Sequence, residues 1–316
     1  MLSRHAEDLF WMGRYLERAE DTSRLLDVTY HSVLEAGTDR TPEELWAELL
    51  ETLFLEEAVP TAEAGEQVGE LLIADRGYPG SLPSIVGKAR ENARTTREWL
   101  SVEVWETLND LHLHLGHIDL ASLAPHRPYE VLQMVKSSCQ AVHGAVEGSM
   151  PRGEGYRFLI LGQRLERALI TSRVLTVWHR RLGGFASPAA YAEWVKLLRS
   201  VSAYEAYLRS HRASMEGGRV LTFLLQSPDL PRSVLSCLRL VESLLGELDS
   251  GGGASLQRTA GRVRSSVEYI DVDTLGEQLV PFLEGIEEGI LGLAHEIERS
   301  YFRPASGTFM HSYEAF

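Results

Sequence analysis

The chain has 316 residues, of which 44% are hydrophobic and 24% charged, a balance typical of a folded globular protein rather than a disordered one. Its formal net charge of −14 would be repelled by nucleic-acid phosphates and by an anionic membrane surface, so neither is expected as a partner. The sequence contains no run of about twenty apolar residues, so no membrane span is predicted. The N-terminus lacks the basic and then apolar segments of a secretion signal. Two cysteines, Cys139 and Cys237, fit a reducing compartment, which predicts a cytoplasmic protein.

Apolar residues recur at helical spacing almost throughout, so the sequence predicts an all-α protein. The first helix is predicted over about residues 3–35, with one buried apolar stripe. The second begins with a capping box, TPEE from Thr41, in which proline takes the first helical position. Further helices of the first half are predicted at about 84–100, 102–115 and 128–148.

The segment GSMPRGEG at residues 148–155 is the strongest break in the chain. The helices predicted after it lie at about 156–182, 188–216, 218–226, 231–249, 255–268 and 273–302. Residues 303–316 have no helical period and are predicted to form an extended or disordered tail. The sequence therefore predicts one domain over 1–302, with a first repeat at about 1–148 and a second at about 156–302.

An internal repeat relates the two halves. Residues 9–26 (LFWMGRYLERAEDTSRLL) align with residues 158–175 (FLILGQRLERALITSRVL), and nine of the eighteen positions are identical. Shorter matches place Trp46 opposite Trp194 and Ser84 opposite Ser233. We expect a helical bundle of two tandem repeats related by a pseudo-twofold axis.

The repeated segment carries charged residues that core packing alone does not require. Glu17 and Arg24 lie two turns apart on one helical face, and Glu166 and Arg173 repeat the pair. One interpretation is that they form interhelical ion pairs that set the helix register. A second is a central polar cavity that binds a carboxylate or phosphate ligand, and a third is an exposed face without a function.

Cations are unusually dense in the run KARENARTTRE, which begins at residue 88 of this acidic chain. Arg94 and Arg97 share a helical face with a third arginine one turn earlier. Arginine binds carboxylate and phosphate groups in a bidentate manner, so an anionic ligand is one interpretation. Salt bridges to Glu91 and Glu98 on a solvated face are the other. Asn92 interrupts the charges and is predicted to belong to a buried polar network.

Other candidate sites are weaker. Three histidines lie close together at positions 112, 114 and 117. Only His114 and His117 share a helical face, and no carboxylate pattern completes a metal site there. Cys139 and His143 lie one turn apart, but a nucleophile and its base usually come from separate elements. Phosphate-binding loops, dinucleotide motifs and nucleophile elbows are missing from the sequence. We therefore expect no metal and no cofactor.

Several motifs resemble those of the alpha-E family, a bacterial all-helical family long regarded as a domain of unknown function. They are the opening MLSR, WMGRYLERAE from Trp11, ARENAR from Ala89, LGQRLERA from Leu161 and LPRSV from Leu230. The likeness extends over residues 1 to about 302. Gln163 departs from it, because an arginine matching Arg14 is expected there, and the two halves therefore carry unequal charge.

The resemblance implies a partner rather than a reaction. Alpha-E proteins resemble partners of a circularly permuted ATP-grasp enzyme, to which they are sometimes fused, and they tend to accompany a transglutaminase-like cysteine peptidase. The leading hypothesis is an accessory subunit of an ATP-grasp amide ligase that also binds an anionic, peptide-like substrate. The alternatives are an amide-forming or amide-hydrolysing enzyme with a Glu/Arg polar centre, and a purely structural scaffold. The residues predicted to form the polar centre are Glu17, Arg18, Arg24, Asn92, Arg94, Arg97, Glu166, Arg167, Arg173, Arg232 and Ser233.

Overall fold

The computed structural model describes residues 1–35, 40–55, 65–118, 127–182, 190–211, 215–248 and 253–302. These residues form helices and no β-strand, which confirms the all-α prediction. The helices are α1 (Ser3–Leu34), α2 (Pro42–Thr52), α3 (Gly65–Ala74), α4 (Leu82–Thr95), α5 (Val102–Gly116), α6 (Arg127–Ser149), α7 (Glu154–Leu182), α8 (Ala190–Ser200), α9 (Tyr204–His211), α10 (Gly217–Gln226), α11 (Val234–Gly246), α12 (Gly253–Glu268) and α13 (Leu279–Ile297). The predicted tail at 303–316 lies outside the described residues. None of the described helices is both long enough and apolar enough to cross a membrane.

The helix starts follow from local side-chain chemistry. The capping box of α2 is confirmed: the Thr41 hydroxyl accepts the Glu44 N–H at 3.3 Å, and the Glu44 carboxylate accepts the Thr41 N–H at 3.0 Å. Serine hydroxyls cap three other helices by accepting a backbone N–H three residues on. They are Ser81 before α4, Ser101 before α5 and Ser233 before α11. Each cap satisfies an N–H group that the helix itself leaves without a partner.

The chain forms two compact units, Met1–Gln163 and Arg164–Arg303. The boundary falls inside α7, so residues 154–163 belong to unit 1 and the rest of α7 to unit 2. The sequence pattern placed the break earlier, at 148–155, where the structure has a short turn between α6 and α7.

α1 is the central helix of unit 1. It packs against α2, α4 and α6, and also against the first part of α7. Between Met12 and Leu26 every residue except Tyr15 and Arg18 is buried, whereas the sequence predicted a single buried stripe. Because neighbours surround α1, the charged residues of its repeated segment other than Arg18 lie inside the unit.

Two glycines lie where α1 meets the first part of α7. A Cβ on Gly13 would overlap the carbonyl oxygen of Leu159, and a Cβ on Gly162 would overlap the carbonyl oxygen of Phe10. The contact is reciprocal, because Gly13 aligns with Gly162 in the sequence repeat and Phe10 aligns with Leu159. The missing side chain allows this approach of backbone to backbone, so these glycines set the distance between the helices.

The helices of unit 2 follow the order of those in unit 1, with α9 as an addition relative to the described helices of unit 1. α2 and α8 both end in a Schellman motif whose left-handed residue is not glycine: Phe54 has φ 58° and Ser202 has φ 52°. In both motifs the residue after the left-handed one donates its N–H to the carbonyl five residues earlier, from Leu55 to Leu50 and from Ala203 to Leu198, each at 2.8 Å. The turn at Ser202 divides the single helix predicted over 188–216 into α8 and α9. The internal duplication and its pseudo-twofold axis stay predictions.

The buried positions of α6 and α13 also correspond. α13 buries the residues that lie 151 positions after those buried by α6. The pairs are Leu132 and Leu283, Val135 and Ile286, Cys139 and Ile290, Val142 and Leu293, and Val146 and Ile297. In this register His143 corresponds to Ala294. In the register of the α1 and α7 repeat, Glu20 corresponds to Leu169.

Candidate functional site

A polar ladder joins α1 to α6 within unit 1. The two helices run antiparallel, because residues late in α1 contact residues early in α6. The Lys136 ammonium donates to the Asp27 carboxylate at 2.6 Å, and the Gln140 amide donates to Glu20 at 3.3 Å. Both lysine and aspartate side chains are mostly buried, so water screens their attraction little. The ladder therefore helps to fix the register of α6 along α1.

The ladder ends in a cluster of two carboxylates and one imidazole. His143 Nδ1 lies 3.4 Å from Glu20 Oε2, and His143 Nε2 lies 4.0 Å from Glu17 Oε2. The guanidinium of Arg24 donates to the other oxygen of Glu20. Glu17 is completely buried, Glu20 and Arg24 nearly so, and the His143 side chain is 14% exposed. Arg24 thus forms an ion pair with Glu20, one turn away on the same helix.

Cys139 lies beside this cluster as a buried thiol. Burial raises its pKa well above the ordinary value, and the charges of Glu20, Glu17 and Asp21 raise it further. The thiolate is the reactive form of cysteine, so this side chain is poorly suited to nucleophilic attack near neutral pH. The imidazole of His143 lies against the two glutamates rather than serving as a base for the thiol.

Unit 2 has its own buried ion pair at the repeated arginine. Arg173 Nη1 lies 3.5 Å from Glu287 Oε2 of α13, and the hydroxyl of Thr176 donates to the same carboxylate. Burial raises the pKa of Glu287 above its usual value, although Thr176 and Arg173 act in the opposite direction. Glu166, the counterpart of Glu17, is buried as well. The pair holds α7 to α13 within the unit.

The predicted arginine helix forms a cluster at the surface of unit 1. Arg90 donates to Glu91 at 2.6 Å and Arg94 donates to it at 2.8 Å, and these hydrogen bonds lower the pKa of Glu91. The guanidinium carbons of Arg90 and Arg97 both lie 5.5 Å from the centre of the Trp105 ring, where a cation is attracted to the π face. The salt bridges predicted to Glu91 are therefore present. We call these five residues the arginine cluster.

Glu98, the second glutamate predicted to form a salt bridge with the arginines, instead lies 3.5 Å from His5. Two further residues of the predicted polar centre, Arg18 and Asn92, also belong to unit 1. Arg18 is half-buried, with its guanidinium carbon 6.0 Å from the centre of the Tyr15 ring. Asn92 is half-buried on α4.

Three predicted residues of unit 2 have structural contacts. Arg167 is buried in α7. Arg232 is also buried, and its carbonyl accepts a hydrogen bond from the Thr171 hydroxyl at 3.1 Å. Ser233 caps α11 by accepting the Ser236 N–H at 3.0 Å. The Ser233 hydroxyl therefore serves as the N-cap that stabilises the start of α11.

Within unit 1 the structure brings Glu17 and Arg24 into the buried cluster, while Arg94 and Arg97 belong to the arginine cluster. The sequence prediction missed Glu20 and His143. Glu20 lies one turn before Arg24 on the same helix, so the i,i+4 rule would have found that pair. His143 comes from another helix, and only the three-dimensional packing brings it there.

A family model described as a predicted alpha-helical domain with a conserved ER motif, named Alpha-E, matches residues 1–302. The chain belongs to the Alpha-E family. Glu-Arg pairs stand at 17–18 and 166–167, in the repeated segment. The chain is similar to uncharacterized proteins of Mycobacterium bovis and of two strains of Mycobacterium tuberculosis, each 26% identical over 321 aligned positions. The match covers 91% of this chain but 35% of each relative, so the chain spans about a third of their length. No solved structure matches it significantly.

Proposed function

We propose that this Alpha-E protein is an accessory subunit of an ATP-grasp-type amide ligase. The observation that carries the proposal is the length of its relatives, in which the matching region is 35% of a longer chain. Joining two segments in one polypeptide keeps them at a high effective concentration, which is useful when they act together. An Alpha-E domain that acts together with such a segment would then need a surface that contacts it. The ligase identity and the accompanying transglutaminase-like peptidase rest on the family resemblance.

The buried Glu/Arg pairs are poor candidates for that surface. Glu17, Arg24 and Glu166 are all buried, so they contribute to the helix packing and do not meet a partner directly. We therefore assign partner binding to the arginine cluster. Its side chains are held in place by Glu91 and the Trp105 ring, which lowers the entropy lost on binding. Arginine and tryptophan are also the residues that most often dominate the energy of protein interfaces.

The occupant that suits this surface is an acidic segment of the ligase. The arginine cluster is a local concentration of cations on a chain of net charge −14, so an acidic partner would be attracted to this face and repelled by most others. A peptide-like substrate with a free carboxylate would be attracted in the same way. The proposal also implies a cytoplasmic location, because an ATP-dependent ligase needs the nucleotide pool found there.

Co-purification with a tagged circularly permuted ATP-grasp enzyme tests the proposal. We expect a complex that survives size-exclusion chromatography, together with faster ADP release by the ligase in the presence of a carboxylate and an amine. Reversing charge with Arg94→Glu and Arg97→Glu should weaken binding at least about tenfold and reduce its salt dependence. Arg219→Glu reverses an exposed arginine of unit 2 and is the matched control. A chain that stays unassociated, or equal losses in the control, would contradict the proposal.

The cluster of Glu17, Glu20 and His143 is the observation that favours the alternative, an enzyme in its own right. Its carboxylates and imidazole are groups that serve as general acids and bases. Complete burial of Glu17 counts against this function, since a substrate would reach the carboxylate only after the helices separate. Loss of turnover in Glu17→Gln, with folding and ligase binding unchanged, would support the alternative.

A further inference from the structure

We propose that Glu17, Glu20 and His143 bind one divalent transition-metal ion within unit 1. Each of these residues offers one ligand atom, and the three atoms all lie within 4.8 Å of one another. Two of the ligands come from consecutive turns of α1 and the third from α6. Carboxylate oxygen and imidazole nitrogen are common ligands of such ions. The inference does not depend on the accessory-subunit proposal.

The measured separations are close to those of a bound site. Ligands at about 2.0–2.2 Å from one ion lie about 3.0–3.5 Å from each other. His143 Nδ1 is 3.4 Å from Glu20 Oε2, and His143 Nε2 is 4.0 Å from Glu17 Oε2. Only one nitrogen of the ring can bind a given ion. With Nε2 as that ligand, the ring must turn until this nitrogen faces both carboxylates, and one ligand atom from each of the three residues already lies within 4.8 Å of the other two.

His143 supplies an independent reason to expect a ligand. Its Nε2 atom is buried and has no hydrogen-bond partner among the described residues. Buried polar atoms almost always have a partner, because leaving one unsatisfied costs free energy. A metal ion would use the lone pair of this nitrogen. The His143 side chain is 14% exposed, so the cluster lies close to the protein surface.

Unit 2 shows that the helix packing does not require these polar groups. At the positions corresponding to Glu20 and His143 it has Leu169 and Ala294, and both are buried. Only the counterpart of Glu17, Glu166, is also a carboxylate. At these two positions the packing of α7 against α13 is thus apolar, whereas the corresponding positions of α1 and α6 carry potential metal ligands. A role beyond packing accounts for this difference.

The surroundings of Glu20 resemble the outer shell of a metal site. Arg24 and Gln140 both donate to Oε1 of Glu20, which leaves Oε2 directed at His143. Such hydrogen bonds fix the orientation of a ligating carboxylate. Two carboxylates and one imidazole suit Zn²⁺, Mn²⁺ or Fe²⁺, and three protein ligands leave at least one coordination position for water.

Isothermal titration calorimetry of the metal-free full-length protein with ZnCl₂, together with thermal unfolding at each metal concentration, tests the inference. We expect one ion per chain and, at a hundredfold excess over Kd, a rise in Tm of roughly 5 °C. His143→Gln should weaken binding at least about tenfold, as losses around metal ligands commonly do. His114→Gln is the matched control, because His114 lies on the exposed face of α5 with its ring bonded to a backbone carbonyl.

Unchanged affinity in His143→Gln, or an equal loss in His114→Gln, would overturn the inference and indicate adventitious surface binding. Far-UV circular dichroism of each variant without metal shows whether it has folded. Should His143→Gln not fold, crystals of the wild-type protein soaked in Zn²⁺ decide the matter by anomalous scattering. A peak within coordination distance of Glu17, Glu20 and His143 supports the site, and a peak only elsewhere, or none, rejects it.

Discussion

Replacing Gly13 with alanine would place a methyl group where α1 meets the first part of α7. The added carbon would overlap the carbonyl oxygen of Leu159 and lie 3.0 Å from the amide nitrogen of Gln163. Both atoms belong to the backbone, so no rotation of a side chain relieves the overlap and the helices must move apart. Gly162→Ala would create the reciprocal overlap with the carbonyl of Phe10.

The expected magnitude is the difference between two opposing effects. Alanine favours a helix over glycine by about 1 kcal/mol. Overpacking a closely fitted contact costs about 1–3 kcal/mol, and contact with rigid backbone places this case at or above the upper end. We therefore expect Gly13→Ala to lower the free energy of unfolding by about 2 kcal/mol.

Urea unfolding followed by far-UV circular dichroism measures this change. Gly144→Ala in α6 is the matched control, because a Cβ there would meet no described atom within 4 Å. It should leave the free energy of unfolding unchanged or raise it by up to about 1 kcal/mol. If Gly13→Ala and Gly144→Ala had equal effects, the close approach of α1 and α7 would be refuted.

Three further predictions concern buried polar groups. A double-mutant cycle with Asp27→Asn and Lys136→Met should give a coupling energy of about 1–3 kcal/mol that high salt barely reduces, and a value near zero would show that the pair does not join α1 to α6. Because burial raises the pKa of Glu287, the folded state gains stability from this carboxyl at low pH and loses it as the pH rises through the raised pKa. Urea unfolding should therefore show wild type losing stability relative to Glu287→Gln as the pH rises above about 4, the usual pKa of a glutamate, and the opposite trend would contradict the raised pKa. Cys139 and Cys237 should react slowly with a thiol reagent in the native protein and rapidly in urea, with no plateau in the native rate up to about pH 9 for Cys139, whereas rapid native labelling would contradict their burial.

Most of the helical architecture could be predicted from the sequence because its signals are local. Apolar spacing located the long helices, and TPEE at Thr41 identified the start of α2 from its own chemistry. The end of α8 was missed because the left-handed residue that ends the helix is Ser202, whereas this position is usually occupied by glycine. The amino acid at that position did not distinguish the turn from a continuing helix.

The candidate site could be predicted only in part because its chemistry combines separate elements. The repeat drew attention to Glu17 and Arg24 before their environment was known. Their burial depends on the neighbours that surround α1, and periodicity on one helix does not specify these. His143 joins Glu17 and Glu20 only through the antiparallel packing of α6 on α1. Residues on different helices carry no short-range signal of their contact.

Hydrogen–deuterium exchange of the chain, alone and mixed with a circularly permuted ATP-grasp enzyme, tests the accessory-subunit proposal most directly. The buried segment of α1 between Met12 and Leu26 should exchange slowly in both samples, since its amides are already protected by packing. Added protection should be confined to α4, α5 and the turn between them, which carry the arginine cluster. No ligase-dependent change at Arg94, Arg97 and Trp105, or protection that appears only in unit 2, would contradict the proposal.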